Sequence, residues 1–178
     1  GVLALMSDST NAARPGYTPS ERIVGETFSK FFSQAGDSRI IVATFSSNIH
    51  RIQQIIDEAV HCGRKVAVSG RSMINVVSVA SELGYLNVPD NVLVDIDMIK
   101  NYPANEMVIV TTGSQGEPMS ALHRIAFSEH RQVEIIPGDM IIISANPIPG
   151  NEKLVNKVIN ELMKRGANVV YERMYDVH

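Results

Sequence analysis

One pattern constrains this chain more than any other. Short, almost unbroken apolar runs rich in β-branched residues alternate with longer segments whose apolar residues recur every three or four positions. The runs are "VLALM", "RIIVATF", "RKVAVSG", "VLVDI", "MVIVTTG", "QVEIIP", "MIIISA" and "ANVVYE". A strand with one face in water alternates apolar and polar residues. Most of these do not, so both faces must be covered. Strands separated by helices give βαβ units. The expected fold class is therefore α/β, a mainly parallel sheet with helices on both faces.

The helical segments carry their own punctuation. Thr18, Pro19, Ser20 and Glu21 form a start signal, with Thr18 as cap, Pro19 in the first turn and Glu21 completing a capping box. Val24, Phe28, Phe31 and Phe32 follow at helical spacing, ending near Gly36. A second helix runs from Asn48 to Gly63 with Ile49, Ile52, Ile56 and Val60 on one face. A third covers Ser72 to Leu83, a fourth starts near Pro118, and the last runs from Asn151 to Arg165, with Gly166 just after. No repeat, low-complexity tract or linker interrupts the pattern. Residues 1–178 are read as a single domain.

Composition narrows the function classes. The 178 residues are 44% hydrophobic and 20% charged, a globular balance. A net charge of −3 argues against general polyanion binding, so any phosphate contact must be local. One cysteine, Cys62, rules out an internal disulfide and fits a reducing compartment. No run reaches transmembrane length, and "GVLALMSDST" lacks a charged n-region and a cleavage site. Because the sequence opens without Met on a strand-like run, it is expected to be a piece of a longer protein.

In a parallel sheet, ligands sit beyond the carboxyl ends of the strands. Four strand-to-helix turns are small and polar: "SDSTNA", "FSSNIHR", "SGRSM" and "TTGSQGEP". A single such turn needs no explanation beyond helix capping. Four together, two of them carrying Arg51 and Arg71, point to a shared phosphate-binding edge. Gly113 and Gly116 would let backbone approach a ligand closely, while Ser114 and Gln115 would hydrogen-bond it. The dinucleotide and P-loop fingerprints are absent. No two histidines stand at metal-ligand spacing; His61 and Cys62 point in different directions on a helix. His123 and His130 read as solvated helix-surface residues. No serine has the nucleophile-elbow pattern.

The motifs "SDSTNA", "TPSERIVG", "RIIVATFSSNIHRIQQIIDEA", "RKVAVSGRSM", "LGYL", "TTGSQGEPMSALHRIA", "IIPGD", "PIPGN" and "YDVH" occur in this order along essentially the whole chain. This set resembles the Rossmann-like β-CASP domain of bacterial ribonuclease J, of the metallo-β-lactamase-fold ribonucleases. The resemblance implies a cytoplasmic, metal-dependent RNA-degrading parent. Such a parent has endonuclease and 5′-to-3′ exonuclease activity and prefers a 5′-monophosphate end. It implies that this domain is inserted into a metallo-β-lactamase domain, with RNA in the cleft between them. The family's H-x-H-x-D-H motif is missing here. No metal is therefore expected on this chain, which should be inactive alone; zinc, or else manganese or magnesium, would belong to the parent.

By the same resemblance, Asp8 is the acidic residue of β-CASP motif A, a catalytic position. Its histidine partner sits in an S-G-H segment that would follow just after His178. The expected RNA-contacting residues are Ser46, Ser47, Asn48, Arg51, Arg71, Gly113, Ser114, Gln115, Gly116 and His178. Expected partners are RNA, the metallo-β-lactamase domain, and a second copy or a paralogous subunit, with no membrane. A structural or RNA-clamping subunit of little activity remains the alternative. A free-standing nucleotide-binding domain would need a complete phosphate fingerprint, which is absent.

Overall fold

The computed structural model describes residues 1–7, 9, 15 and 21–171. Six strands form one sheet: β1 (Ile40–Ala43), β2 (Lys65–Ser69), β3 (Leu93–Val94), β4 (Met107–Thr111), β5 (Met140–Ile143) and β6 (Asn168–Val170). Their order is β3-β2-β4-β1-β5-β6, and every pairing is parallel. The helices are α1 (Glu21–Gln34), α2 (Ile49–His61), α3 (Arg71–Glu82), α4 (Ala121–Ala126) and α5 (Glu152–Lys164). The expected α/β architecture is the one observed.

The continuous apolar runs resolve into two faces. Ile40, Val42, Val66, Val108, Val110 and Ile142 pack with Phe28 and Phe32 of α1, Ile52 and Ile56 of α2, and Met73 of α3. Their sequence neighbours Ile41, Ala43, Ala67, Ile109, Ile141 and Ile143 pack with Leu122 and Ile125 of α4 and Val158 and Leu162 of α5. Side chains alternate across a strand, so a strand covered on both faces needs apolar residues at every position. Ala43 pairs level with both Thr111 and Ile143, and Ser69 with Thr111. The carboxyl ends of four neighbouring strands therefore form one even edge.

Two expected strands are not strands. Residues 1–7 form none and are exposed, with Val2, Leu3, Leu5 and Met6 each at least 85% accessible. Strand composition yields a strand only where an edge pairs with it, and none does among the described residues. "QVEIIP" buries Val133 and Ile135 in the second core without joining the sheet. Its N–H groups are taken by side chains: Val133 donates to His130 Nδ1 (3.1 Å) and Ile136 to Asp139 Oδ2 (2.8 Å). Asp139 is itself held by Arg39, at 2.6 and 3.1 Å.

Helix boundaries follow the punctuation closely. Asn48 caps α2, its side chain accepting from the Arg51 N–H at 3.1 Å. The fourth helix starts later than Pro118. Ser120 is its cap, accepting from the His123 N–H at 3.3 Å. Thr18, Pro19 and Ser20 of the first capping signal, with Asp8 and His178, lie outside the described residues, and α1 begins at Glu21. No helix among the described residues is long and apolar enough to cross a membrane.

Candidate functional site

Strand order locates the crevice. β1 and β5 are neighbours, yet β1 continues into α2 on one face and β5 into α5 on the other. Connections that diverge in this way leave a cleft beyond the carboxyl ends of the two strands. Residues 44–48 and 144–151 border it, with the β4–α4 turn alongside.

Three loops here are bonded into one shelf. The Thr44 N–H donates to Thr111 O (3.1 Å) and the Ser144 N–H to Ala43 O (2.8 Å), extending the sheet by one residue on each side. The Thr44 hydroxyl donates to Ser144 O at 3.3 Å. Arg51 is 3% exposed, and its Nη1 donates to Ser144 Oγ at 2.6 Å. It is neither a solvated helix residue nor an open cation. Its guanidinium fastens the first turn of α2 to the end of β5.

The turn 111–120 contributes structure at the positions where ligand contacts were expected. Gln115 is 2% exposed; its Nε2 donates to Asn146 O (2.8 Å), and its Oε1 accepts from the Ile148 N–H (2.7 Å) and from Asn151 Nδ2 (3.4 Å). One side chain thus supplies hydrogen bonds to three residues of the β5–α5 loop. Gly116, at φ 68°, sits so close to the first turn of α5 that a Cβ would come within 2.5 Å of the Leu154 carbonyl carbon. At Gly113, φ 107°, a Cβ would collide with the Ser120 hydroxyl. Both glycines allow close approach, and what approaches is the protein itself. Ser114 is buried at 2% exposure.

What stays open on the shelf is its first loop. The Asn48 N–H donates to Phe45 O at 3.1 Å, closing a turn around Ser46 and Ser47. Ser47 is exposed and Ser46 half-buried, and neither hydroxyl has a hydrogen-bond partner among the described residues. Phe45 beside them is 38% exposed. Sequence reading passed over Phe45, although an aromatic residue directly after a buried strand, before two serines, was a usable signal.

Arg71 opens α3 and is exposed. It lies at the end of β2, on the far side of β4 from β1. His130 approaches the same strand end and is not a solvated helix residue. Its Nδ1 accepts from the N–H groups of Val133 (3.1 Å) and Gln132 (3.3 Å), which leaves the proton on Nε2, 2.9 Å from Ser69 Oγ. Burial, with the nearby Arg124 charge second, holds its pKa below the ordinary histidine value. His123 is half-buried as well, stacked on Phe127 with ring centroids 4.5 Å apart. Among the described residues, no group of three or more His, Cys, Asp or Glu could hold a metal ion.

A family model described as the beta-CASP domain of ribonuclease J matches residues 37–162, which hold the shelf and both strand-end turns. The chain belongs to that family. It is similar along its whole length to Ribonuclease J of Thermus thermophilus, at 50% identity, where it covers 31% of that protein. It is 48% identical over its whole length to Ribonuclease J of Helicobacter pylori, covering 26%. It is 45% identical over 96% of its length to Ribonuclease J2 of Bacillus subtilis, covering 31%. The chain therefore spans about a quarter to a third of the length of these relatives.

Proposed function

We propose that residues 1–178 are one β-CASP domain of a longer, cytoplasmic ribonuclease J-type enzyme, inserted in a metallo-β-lactamase domain, and that its carboxyl edge forms one wall of the RNA cleft. The observation that carries this reading is the loop 45–48. It is an accessible part of the shelf whose two hydroxyls have no hydrogen-bond partner among the described residues, beside the crevice. Ser46 and Ser47 would donate to phosphate oxygens, joined by the free amide Nδ2 of Asn48. Phe45 would stack on a base, the usual way a protein holds unpaired RNA. Gln115, Gly113 and Gly116 act one step back, by fixing the wall.

Asp8 is proposed as an acid–base positioning group at the cleavage site, on the strength of the family motif. The metal of such chemistry, zinc or else manganese or magnesium, would be supplied by the rest of the parent and would activate the attacking water. Endonuclease and 5′-to-3′ exonuclease action, preference for a 5′-monophosphate and assembly with a second copy or paralogue belong to this proposal.

The test is run on the full-length parent. Asp8→Asn should slow cleavage of 5′-monophosphorylated RNA about a hundredfold, the lower scale for losing a positioned acid–base group, with unchanged melting. Ser46→Ala with Ser47→Ala should raise KM more than it lowers kcat. Equal rates with equal melting for all variants would refute the assignment. A parent that binds RNA tightly but cleaves it negligibly as wild type would be an RNA-clamping subunit.

A further inference from the structure

At the other end of the shelf, at the carboxyl end of β2, lies a cavity of about 420 Å³, bordered by the first turn of α3 on one side and by Arg124 of α4 and residues 130–132 on the other. Arg71, Arg124 and Arg131 line the cavity with Ser69, Gly70 and His130, and no carboxylate is among the lining residues. None of the three arginines pairs with an acidic group among the described residues. Arg124 Nε is buried with no hydrogen-bond partner. The first turn of α3 borders the same space, and no side chain caps its N–H groups.

These are separate observations with one chemical meaning. Three guanidinium groups around one cavity repel one another, and a buried donor left unmade costs free energy. Both costs are removed by an oxyanion. Guanidinium forks and helix N-terminal amides are the donors that fit a tetrahedral phosphate. His130 is held neutral with Nε2–H toward Ser69, so it adds a polar wall without a fixed charge. Val68, Ile74 and Ile96 supply an apolar side, and the volume is large enough for a nucleotide.

We propose that this cavity is a phosphate-binding site, separate from the crevice at β1 and β5, that takes a phosphate group with the sugar attached to it. The phosphate comes either from an RNA backbone crossing the domain edge or from a free mononucleotide. The RNA source rests on the cleft reading above; the site itself does not.

The experiment uses the 178-residue chain, since both apolar cores close within residues 24–170. The arginine Nε–Hε resonances are followed while inorganic phosphate, uridine 5′-monophosphate or a single-stranded ten-nucleotide uridine RNA is added. The Arg124 signal should move with each phosphate-bearing probe and stay still with uridine. Arg71→Gln with Arg131→Gln, both exposed positions, should weaken binding about tenfold, at the scale of one charged hydrogen bond, with melting unchanged. An Arg124 signal unmoved by every probe, or affinity unchanged in the double variant, overturns the site even if the RNA binds elsewhere. If phosphate and the mononucleotide move Arg124 but the oligonucleotide does not, the RNA source is overturned and the site stands with a mononucleotide as its ligand.

Discussion

At the scale of single residues, Gln115 shows how a polar loop residue can serve the fold. A glutamine between two glycines at the end of a strand reads as a ligand contact, because flexible backbone and an amide are what ligand loops use. In the folded chain its amide group is fully engaged across to residues 146, 148 and 151. Truncation to alanine would remove its bonds to the Asn146 carbonyl and the Ile148 N–H, in a part-buried setting. Gln115→Ala should therefore cost about 1–3 kcal/mol, at about 0.5–1.5 kcal/mol net for each of the two bonds. For a chain of this size that lowers the melting temperature by about 2–12 °C. Amide exchange at Ile148 should accelerate by more than the global loss of stability accounts for. A variant with unaltered melting and Ile148 protection would show that the three loops hold together without this side chain.

Between elements, the strongest pH signal comes from the segment that fails to become a strand. His130 joins the end of β2 to the start of "QVEIIP" by accepting two backbone N–H groups on Nδ1. Protonation there turns the acceptor into a donor and breaks both bonds, while burial and the Arg124 charge oppose the added proton. The folded pKa lies below the ordinary value of 6.5. Above about pH 6.5 both states are neutral and the contribution is fully present. As pH falls from there through the lower folded value, the unfolded chain takes up a proton first and stability is lost. Melting temperatures from pH 8 to pH 5 should thus drop more steeply for wild type than for His130→Gln. Parallel profiles would mean that His130 is not held neutral in the fold.

For the whole molecule, a net charge of −3 is spread over a chain in which, among the described residues, Arg71, Arg124 and Arg131 gather around one cavity at one end of the carboxyl edge. Binding to single-stranded RNA should be weak at physiological salt. With three phosphate-contacting arginines, the slope of log affinity against log salt should be about −2. Titrations from 50 to 300 mM salt measure it. A slope steeper than about −4 would require a wider basic face.

Much of the architecture was legible because its signals are local. Continuous β-branched runs announce strands covered on both faces, and Val24, Phe28, Phe31 and Phe32 trace the buried side of α1 without reference to anything else. Local periodicity reports that a side chain is buried; it does not report against what. Val133 and Ile135 alternate like a strand and are buried like one, yet the bonds from the Val133 N–H to His130 and from the Ile136 N–H to Asp139 left the segment out of the sheet. The partners of Arg51, Gln115 and His130 lie 93, 31 and 61 residues away in sequence. They meet because β4 inserts between β1 and β2 and β5 adds beyond β1, an order that no single turn or run encodes. The sequence alone determined six of the eight expected strands and the run of helices, and that the turns after β1, β2 and β4 share one edge. Only the tertiary structure decided which groups on that edge are spent on each other and which, such as Ser46, Ser47 and the arginines around β2, remain available, because hydrogen-bond satisfaction is settled between loops brought side by side by strand order.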